Sequence, residues 1–172
     1  MNFNLTSILD RNTVFENVAS TLEYEGFVIT KRDQTRPWGG FFVIDENQAI
    51  PFAIKFFPHL QLGEIQVTNK LSPKILVVAA KQRLSWQYHF RRSEIWKVIF
   101  GDVGVKTSLT DEEGPMWVLA EGTFVKMEKG DRHRLIGLNG WGIVAEIWQH
   151  TDPDNPSDEE DIVRLQDDFG RE

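Results

Sequence analysis

The chain has 172 residues and a mass of 19.9 kDa, and 41% of its residues are hydrophobic. This length suits one domain with its own core and is short for two. Cysteine is absent, which excludes disulfide frameworks, thiolate metal sites and thiol nucleophiles. The formal net charge of -7 and the scattered basic residues argue against a nucleic-acid-binding surface.

Charge and hydropathy also bear on location. No segment approaches the roughly 18 uninterrupted apolar residues of a membrane-spanning helix, and the first residues, MNFNLTSILD, contain no basic leader. We therefore expect a cytoplasmic protein without a membrane partner. Residues 152–172 contain nine acidic and two basic residues, so this segment carries the whole net charge. Such a bias is typical of a solvated helix or tail.

Helical patterns occur at the two ends of the chain. Thr13-Val-Phe-Glu16 resembles a capping box, and the apolar residues after it predict a helix over residues 13–25 that stops at Gly26. Ser157-Asp-Glu-Glu160 is a second such pattern with acids in the first turn, and it predicts a C-terminal helix that runs to Gly170.

Short β-type runs separated by turn signals fill the space between the two helices. The predicted strands are 40–44, 51–58, 64–68, 74–80, 84–90, 94–100, 103–108, 116–119, 123–127, 132–136 and 142–149. Many short strands with close turns indicate an all-β sandwich or barrel, not a parallel α/β sheet. We expect residues 1–35 to form an N-terminal helical extension, and residues 36–172 to form a single barrel domain with an acidic C-terminal helix.

Polar side chains with metal-binding groups converge on one predicted strand and its neighbours. In Leu84-Ser-Trp-Gln-Tyr-His-Phe90 the period of two places Gln87 and His89 on one face and aromatic residues on the other. If the aromatic face packs outward, the amide and imidazole point into the barrel, where burial is costly unless they are bonded or coordinate a metal. Glu94 opens the next strand and His133 opens a later one, so both can join them.

These segments resemble known metal motifs. The spacing is that of the two-part cupin motif: Gln87-x-His89-x4-Glu94-x6-Gly101, then Gly122-x7-Gly130-x2-His133. More closely, Leu84-Ser-Trp-Gln-Tyr-His-Phe-Arg-Arg-Ser-Glu-Ile-Trp96 resembles the cupin domain of type II phosphomannose isomerases. The similarity extends to Arg36-Pro-Trp-Gly39 and His133-Arg-Leu135, and to Asp161-Ile-Val-Arg-Leu165 with Phe169-Gly-Arg171 near the end.

The resemblance implies a double-stranded β-helix (jelly-roll) barrel that binds one divalent metal. The implied ligands are Gln87, His89, Glu94 and His133, and all four are present. Two imidazoles, an amide oxygen and a carboxylate suit zinc, with nickel, iron or manganese as alternatives because this ligand set does not select among them.

The chain departs from the family pattern around these ligands. Arg91 and Ile95 stand where the family has histidines, and Lys81 and Glu128 replace the expected glycine and proline. None of these changes removes an implied ligand. They alter the residues around the metal, which orient the ligands and tune their affinity, so an altered substrate or lost catalysis is an alternative to family activity.

The resemblance also implies a sugar-phosphate isomerase. An aldose–ketose isomerase moves a proton between adjacent carbons through an enediol, so it needs a Lewis acid, a base and a cationic anchor for the phosphate. For the anchor we single out Arg92, with Arg134, Arg36 and Arg164 as further candidates, because guanidinium binds phosphate through paired hydrogen bonds. A solvated turn is the alternative role for Arg91 and Arg92.

Glu146 is the candidate base. It is the single charge in the apolar run Gly142-Ile-Val-Ala-Glu-Ile-Trp148, and burial would raise its pKa towards neutrality. An ion pair with an arginine is the alternative. Trp86, Tyr88 and Trp96 can stack on a sugar, although aromatic residues at alternating strand positions more often form a core or an interface. We expect His59 and His150 to be surface or structural residues.

Three functions fit these features. The first is a metal-dependent sugar-phosphate isomerase, with mannose 6-phosphate and fructose 6-phosphate as the leading pair and other sugar phosphates, including heptoses, behind them. The second is a nucleotide-sugar epimerase on the same barrel, which would need a His-Asp or Tyr acid–base pair. The third is a non-catalytic cupin that binds a sugar or an anion. The aromatic strand face with Trp86 and Tyr88 predicts a homodimer.

Overall fold

The computed structural model describes Phe3 and residues 10–170. The helices are α1 (Arg11–Tyr24), α2 (Ala49–Phe56) and α3 (Leu62–Ile65), and a 3-10 turn (Glu46–Gln48) precedes α2. The strands are β1 (Ile29–Asp33), β2 (Gly39–Ile44), β3 (Leu71–Val78), β4 (Trp86–Tyr88), β5 (Arg92–Phe100), β6 (Val103–Ser108), β7 (Trp117–Leu119), β8 (Phe124–Met127), β9 (Arg132–Gly137), β10 (Gly142–His150) and β11 (Val163–Gln166).

The strands form two antiparallel sheets. One sheet has the order β1-β2-β3-β10-β5-β8 and the other has the order β11-β4-β9-β6-β7. Strands that are neighbours in a sheet are often distant in sequence, as when β10 pairs with both β3 and β5. The predicted all-β class and the jelly-roll architecture are confirmed.

Strand β10 shows how the layers are arranged. Every residue of β10 is buried. Ile143, Ala145 and Ile147 contribute to a core that the six-stranded sheet shares with α1 and α2. Val144 instead packs in a second core with residues of the five-stranded sheet. Because side chains alternate along a strand, Glu146 lies on the same side as Val144, in the space between the two sheets.

The first helix agrees with its sequence pattern. Its buried residues Val14, Phe15, Val18 and Leu22 follow helical spacing and cover the six-stranded sheet. The N-cap is Asp10, whose carboxylate accepts a hydrogen bond from Thr13 N at 3.1 Å, so the helix begins two residues before the predicted start.

Two predicted strands are wrong. Residues 51–58 and 64–68 were expected to be extended, but they contain most of α2 and the end of α3. The buried residues of α2 are Ala49, Phe52, Ala53 and Phe56, which follow helical spacing. A short apolar run is ambiguous between helix and strand, and Pro51 in the first turn of α2 is compatible with a helix. The structure also contains β1, which the sequence analysis did not predict.

The predicted C-terminal helix is also wrong. Residues 163–166 form β11, which pairs with β4 beside the metal motif, and no helix lies between residues 151 and 170. Ser157 does not cap a helix, because its hydroxyl donates to Asp161 Oδ2 at 2.7 Å. Arg171, where the family resemblance ends, lies outside the described residues.

The predicted division at residue 36 falls within the six-stranded sheet. Strand β1 belongs to the proposed extension, and it pairs with β2 of the proposed barrel domain. The division into two segments therefore stays a prediction, and the extension is not purely helical. None of the described helices has the length and apolar character needed to cross a bilayer.

Candidate metal centre

The four implied ligands come from three neighbouring stretches of chain. Gln87 lies on β4 and pairs with His133 on β9, while His89 follows β4 and Glu94 lies on β5. Each of these side chains is at least nine-tenths buried. The local fold thus brings together polar groups that are far apart in sequence and that are costly to bury without partners.

Three of these residues present their ligand atoms to one another. One atom each from His89, Glu94 and His133 lies within 4.8 Å of the others. Glu94 Oε1 is 3.1 Å from His89 Nε2, and Glu94 Oε2 is 3.3 Å from His133 Nε2. The carboxylate therefore lies between the two imidazoles.

Backbone carbonyls set the tautomers of both imidazoles. His89 Nδ1 is 2.6 Å from the carbonyl oxygen of Asp161, and His133 Nδ1 is 2.9 Å from that of Asp131. A carbonyl oxygen only accepts, so each Nδ1 carries the proton and donates it. In the neutral imidazole each Nε2 is then a lone pair, and each lone pair faces an oxygen of Glu94.

A cation bound between the two nitrogen lone pairs and the carboxylate would be attracted by all three groups. Burial lowers the pKa of His89, so this ring is neutral near pH 7. Burial works against ionisation of Glu94, but its neighbours His89, Arg92 and His133 hold its pKa well below the usual range. Among the described residues, Glu94 Oε2 and His133 Nε2 find no hydrogen-bond partner. The donor set therefore fits a divalent metal ion.

Gln87 completes the set that the resemblance implies. Its amide oxygen accepts a hydrogen bond from Ser85 Oγ at 2.5 Å. An amide oxygen has two lone pairs, so one is left for a metal ion. Ser85 thereby orients the Gln87 amide with its oxygen held in place, as residues around a metal commonly do for its ligands.

Arg92 contacts the ligand atoms directly. Its guanidinium donates to Glu94 Oε1 at 2.8 Å and to His89 Nε2 at 3.1 Å. The third guanidinium nitrogen, Nη1, donates to Ser157 Oγ and to the carbonyl of Asp158. The predicted phosphate anchor thus has most of its N–H groups committed inside the protein, and it lies against the cluster as a positive charge.

A cavity between the sheets adjoins the metal centre. It holds about 600 Å³, counted with its open mouth. Among the predicted site residues, those on its wall are Gln87, Glu94, Arg92, Arg36, Arg164 and Glu146.

Arg134 is the predicted site residue that lies elsewhere. Its guanidinium forms a salt bridge with Glu113 and donates to the carbonyl of Gln166 at 3.1 Å. Although the residue is almost completely buried, it is not on the cavity wall. Strand alternation explains this, because His133 points into the barrel and its neighbour Arg134 points to the opposite face.

Glu146 is a buried carboxyl at the cavity wall. It accepts a hydrogen bond from Trp96 Nε1 at 2.9 Å. Burial, reinforced by the charge of Glu94, raises the pKa of Glu146 to about 8, although Lys74 and Arg92 act in the opposite direction. The group can therefore exchange a proton near neutral pH.

Lys74 and Glu159 are cavity residues that the sequence analysis missed. Lys74 lies opposite Glu146 in the register of β3 and β10, and its amine donates to Glu159 Oε1 at 2.6 Å. Lys74 is the single charge in the apolar strand β3, the same signal that singled out Glu146. Glu159 carried no such signal, since it is one of several acids in the C-terminal segment.

The departures from the family pattern point away from the ligand atoms. Arg91 donates to Asn155 Oδ1, to the carbonyl of Pro156 and to Asp158, and so holds the C-terminal segment. Ile95 is buried in the core beneath the six-stranded sheet. The histidines expected at these two positions are thus replaced by a surface anchor and a core residue.

The aromatic strand face is mostly covered by the chain itself. Trp86 is completely buried, and its indole donates to the carbonyl of Asp111 at 2.7 Å. Phe90 is 61% exposed, and Tyr88 is partly covered by the guanidinium of Arg132. The homodimer stays a prediction, but Trp86 is not available to an interface. Trp96, unlike Trp86, lies on the cavity wall.

The other two histidines have the expected character. His59 is exposed and lies against the ring of Phe124, with 4.4 Å between centroids. His150 is completely buried and hydrogen-bonded to Ser72 Oγ at 2.9 Å. Neither belongs to the metal cluster.

Comparison with known proteins identifies the family. A family model described as "Mannose-6-phosphate isomerase C-terminal" matches residues 54–167, about two thirds of the 172 residues. The chain belongs to this family. It is a cupin, as the ligand spacing and the jelly-roll sheets indicate. A search of curated proteins finds no match for this chain.

Solved structures share the fold at low sequence identity. KdgF from Halomonas sp. matches with a TM-score of 0.51 and 12% identity, over 76% of this chain and 89% of that protein. Vicilin from hazelnut (Corylus avellana) matches with a TM-score of 0.51 and 16% identity, over 76% of this chain and 33% of vicilin. In other matches the chain spans about half of the other protein, 52% of the cysteine peptidase peruvianin-I and 45% of an oxalate oxidase. At these identities the likeness concerns the fold alone.

Proposed function

We propose that this chain is a metal-dependent sugar-phosphate isomerase that interconverts an aldose and a ketose. Mannose 6-phosphate and fructose 6-phosphate are the leading pair, and other sugar phosphates, such as heptose phosphates, come next. The proposal is carried mainly by the facing lone pairs of His89 and His133 on the two oxygens of Glu94. Family membership supports the choice of reaction.

The metal is the first requirement of this chemistry. Gln87, His89, Glu94 and His133 would hold a divalent ion, which would polarise the oxygens of the substrate that change between carbonyl and hydroxyl. We propose zinc, with nickel, iron or manganese as alternatives, since two imidazoles and two oxygen ligands suit several divalent ions. The Nδ1 contacts with backbone carbonyls fix the orientation of both rings, so that Nε2 is the nitrogen that each histidine presents to the site.

Glu146 meets the requirement for a base. The carboxyl is on the same cavity wall as Glu94, and Trp96 fixes one of its oxygens by a hydrogen bond. A pKa near 8 means that the group accepts and returns a proton at small cost around neutrality. We propose that Glu146 removes the proton from one carbon of the bound sugar and returns it to the neighbouring carbon, while the proton of the hydroxyl that becomes the new carbonyl passes to the former carbonyl oxygen.

Cationic side chains meet the requirement for a phosphate anchor. Arg36 and Arg164 lie on the cavity wall and are the predicted anchors that the geometry favours. Arg92 is better suited to hold Glu94 and His89 in position, because its guanidinium contacts both of them. Arg134 faces Glu113 and is left out of the proposal.

A cupin that binds a sugar or anion without turnover is the second candidate. The replacement of two family histidines by Arg91 and Ile95 favours it, since altered surroundings can leave a metal site that binds without turnover. The epimerase has less support. Among the described residues, the cavity wall contains no tyrosine, aspartate or histidine that would form its acid–base pair.

The isomerase is tested by turnover of the metal-reconstituted protein. Conversion of mannose 6-phosphate to fructose 6-phosphate is measured for the wild type and for His133→Ala, Glu146→Gln and Glu160→Gln. We expect turnover in the wild type and in Glu160→Gln, which changes an exposed acid. We expect a loss of roughly 100-fold or more in Glu146→Gln, as for other acid–base residues.

The same assay separates the two candidates. Glu146→Gln should keep its metal while losing turnover, whereas His133→Ala should lose both. Sugar-phosphate binding without turnover in the wild type, over a panel that includes heptose phosphates, would favour the non-catalytic cupin. Full activity in Glu146→Gln would remove Glu146 from the proposed role.

A further inference from the structure

Three cations surround one aromatic ring at the mouth of the cavity. The amine of Lys31, the guanidinium of Arg36 and the amine of Lys74 lie 5.6, 5.6 and 5.4 Å from the ring centroid of Phe41. Arg36, Phe41 and Lys74 are on the cavity wall. At the cavity mouth three cations therefore lie around an apolar ring, with Asp33 paired to Arg36 and Glu159 paired to Lys74.

Lys74 is the most buried of these cations. Its side chain is only 7% exposed, and its amine lies 3.4 Å from the ring centroid of Trp148. Burial lowers the pKa of Lys74, while Glu146 in its ionised form and the Glu159 carboxylate act to keep the amine protonated. A buried ammonium needs an anionic partner. The anion that pairs with Lys74 therefore determines what else can bind at the cavity mouth.

The direct anionic partner of Lys74 is Glu159. The Nζ–Oε1 distance is 2.6 Å, and the Glu159 side chain is 61% exposed. Glu159 lies in the segment between β10 and β11, so its carboxylate reaches the amine from outside the sheets. The position beside Lys74 at the cavity mouth is thus already shown to accept an oxyanion.

We propose that Lys74 and Arg36 form the subsite for the phosphate group of the substrate, and that the Glu159 carboxylate is a built-in competitor which the phosphate displaces. The identity of the ligand as a phosphate monoester rests on the proposed function. The competition between Glu159 and an anion rests only on the geometry of the cavity mouth.

Charge explains why a phosphate would win this competition. A phosphate monoester carries up to two negative charges near pH 7 and has three acceptor oxygens, while the Glu159 carboxylate carries one charge. Arg36 Nε forms a salt bridge with Asp33 Oδ2 at 2.9 Å, so the two Nη groups of its planar guanidinium are the donors proposed for the phosphate oxygens, and Lys74 offers a point charge. Lys31 adds positive potential from the exposed rim.

Binding measurements test the competition without any need for turnover. Isothermal titration of inorganic phosphate and of mannose 6-phosphate is carried out on the metal-loaded wild type, Glu159→Gln, Lys74→Met and Glu160→Gln. Removing the competitor should lower the Kd of both anions in Glu159→Gln by about tenfold, the size expected for one charge-assisted contact. Glu160→Gln should match the wild type, because it removes an exposed charge from the same segment.

Loss of the cation should have the opposite effect. Lys74→Met should raise the Kd of both anions by roughly tenfold or more. If this buried variant does not fold, Arg36→Gln serves instead, because Arg36 is partly exposed. It should weaken the binding of both anions in the same way. Neutral mannose should show no difference between the wild type and Glu159→Gln.

The inference would be overturned if Glu159→Gln bound phosphate no more tightly than the wild type, or if Glu160→Gln gained as much. Its failure is distinct from that of the isomerase. Tighter anion binding in Glu159→Gln with no turnover in any protein would support the subsite and reject the isomerase. Turnover in the wild type with unchanged anion affinity in Glu159→Gln would support the isomerase and reject the subsite.

Discussion

Lys81 adopts a backbone conformation that glycine usually provides. Its φ is +60°, and it is the one described non-glycine residue with a positive φ. Its N–H contacts the carbonyls of Gly137 and Leu138, so the turn before β4 depends on this conformation. The family pattern has glycine here, and the structure explains why. A side chain in the left-handed region costs about 1–2 kcal/mol.

Replacing this lysine by the family residue should therefore stabilise the protein. We expect Lys81→Gly to raise the free energy of unfolding by about 0.5–1 kcal/mol, since relief of strain exceeds the added entropy of the unfolded chain. Urea denaturation followed by fluorescence measures the change. Lys129→Gly, at an exposed position without a positive φ, is the matched control and should not stabilise. A destabilised Lys81→Gly would contradict the argument.

The individual ligands could be predicted from sequence because each carries a local signal. The alternation of Gln87 and His89 with aromatic residues and the positions of Glu94 and His133 at strand starts point to one interior site. Lys74 carried a comparable signal, a single charge in an apolar strand, but the sequence analysis did not select it. Its partner Glu159 could not have been found, because their contact depends on how the C-terminal segment folds back over the barrel.

The C-terminal segment is an element that holds the metal motif from outside. The carboxylate of Asp161 accepts hydrogen bonds from the backbone N–H groups of Phe90 and Arg91 and from Ser157 Oγ. The backbone carbonyl of Asp161 orients His89. Together these contacts fix the turn that connects the implied ligands His89 and Glu94.

We expect Asp161→Ala to weaken metal binding although Asp161 is not a proposed ligand. Loss of its contacts should reduce metal affinity by roughly tenfold, the lower end of the effects seen for residues that orient metal ligands. Competition with a chelator of known affinity measures this. Asp154→Ala, an exposed acid in the same segment, is the control and should bind metal as the wild type does. Equal affinities in all three proteins would show that the segment does not position His89.

The errors in element prediction have two physical causes. Residues 49–56 form an apolar run too short for its period to be decisive, and packing of Phe52 and Phe56 against Phe27 selects the helix. In the C-terminal segment, local helix signals are overridden by long-range contacts, because its acids and hydroxyl groups bind Arg91, Arg92 and Lys74. Strand β6, which pairs regularly with β7 and β9, was predicted to the residue.

The whole molecule should lose stability in mild acid because of His150. Burial, with the charge of Lys70 next, lowers the pKa of His150 from 6.5 to about 4. Between these pH values the unfolded chain binds a proton that the folded protein excludes. The free energy of unfolding should therefore fall as the pH drops from 6.5 to 4, by up to about 1.4 kcal/mol per pH unit from this residue.

His150→Gln tests this linkage. Glutamine can still donate to Ser72 but does not titrate, so the variant should show a shallower loss of stability than the wild type over the same pH range. Urea denaturation at several pH values measures both slopes. His59→Gln, at an exposed position, should keep the slope of the wild type. Identical slopes for the wild type and His150→Gln would contradict the assignment.

The metal centre connects the two sheets of the molecule, so a bound ion should stabilise the whole fold. β4 and β9 belong to the five-stranded sheet and β5 belongs to the six-stranded sheet. A ligand that binds only the folded state stabilises it by about 2.7 kcal/mol when its concentration is 100 times its Kd.

Elemental analysis of the purified protein tests the central claim most directly. The wild type and His59→Ala should contain close to one divalent metal ion per chain, while Gln87→Ala and His133→Ala should contain much less. Chelation should lower the melting temperature of the first two proteins only. A folded wild type that contains no metal, even after reconstitution with zinc, nickel, iron or manganese, would contradict the account of the site and the isomerase built on it.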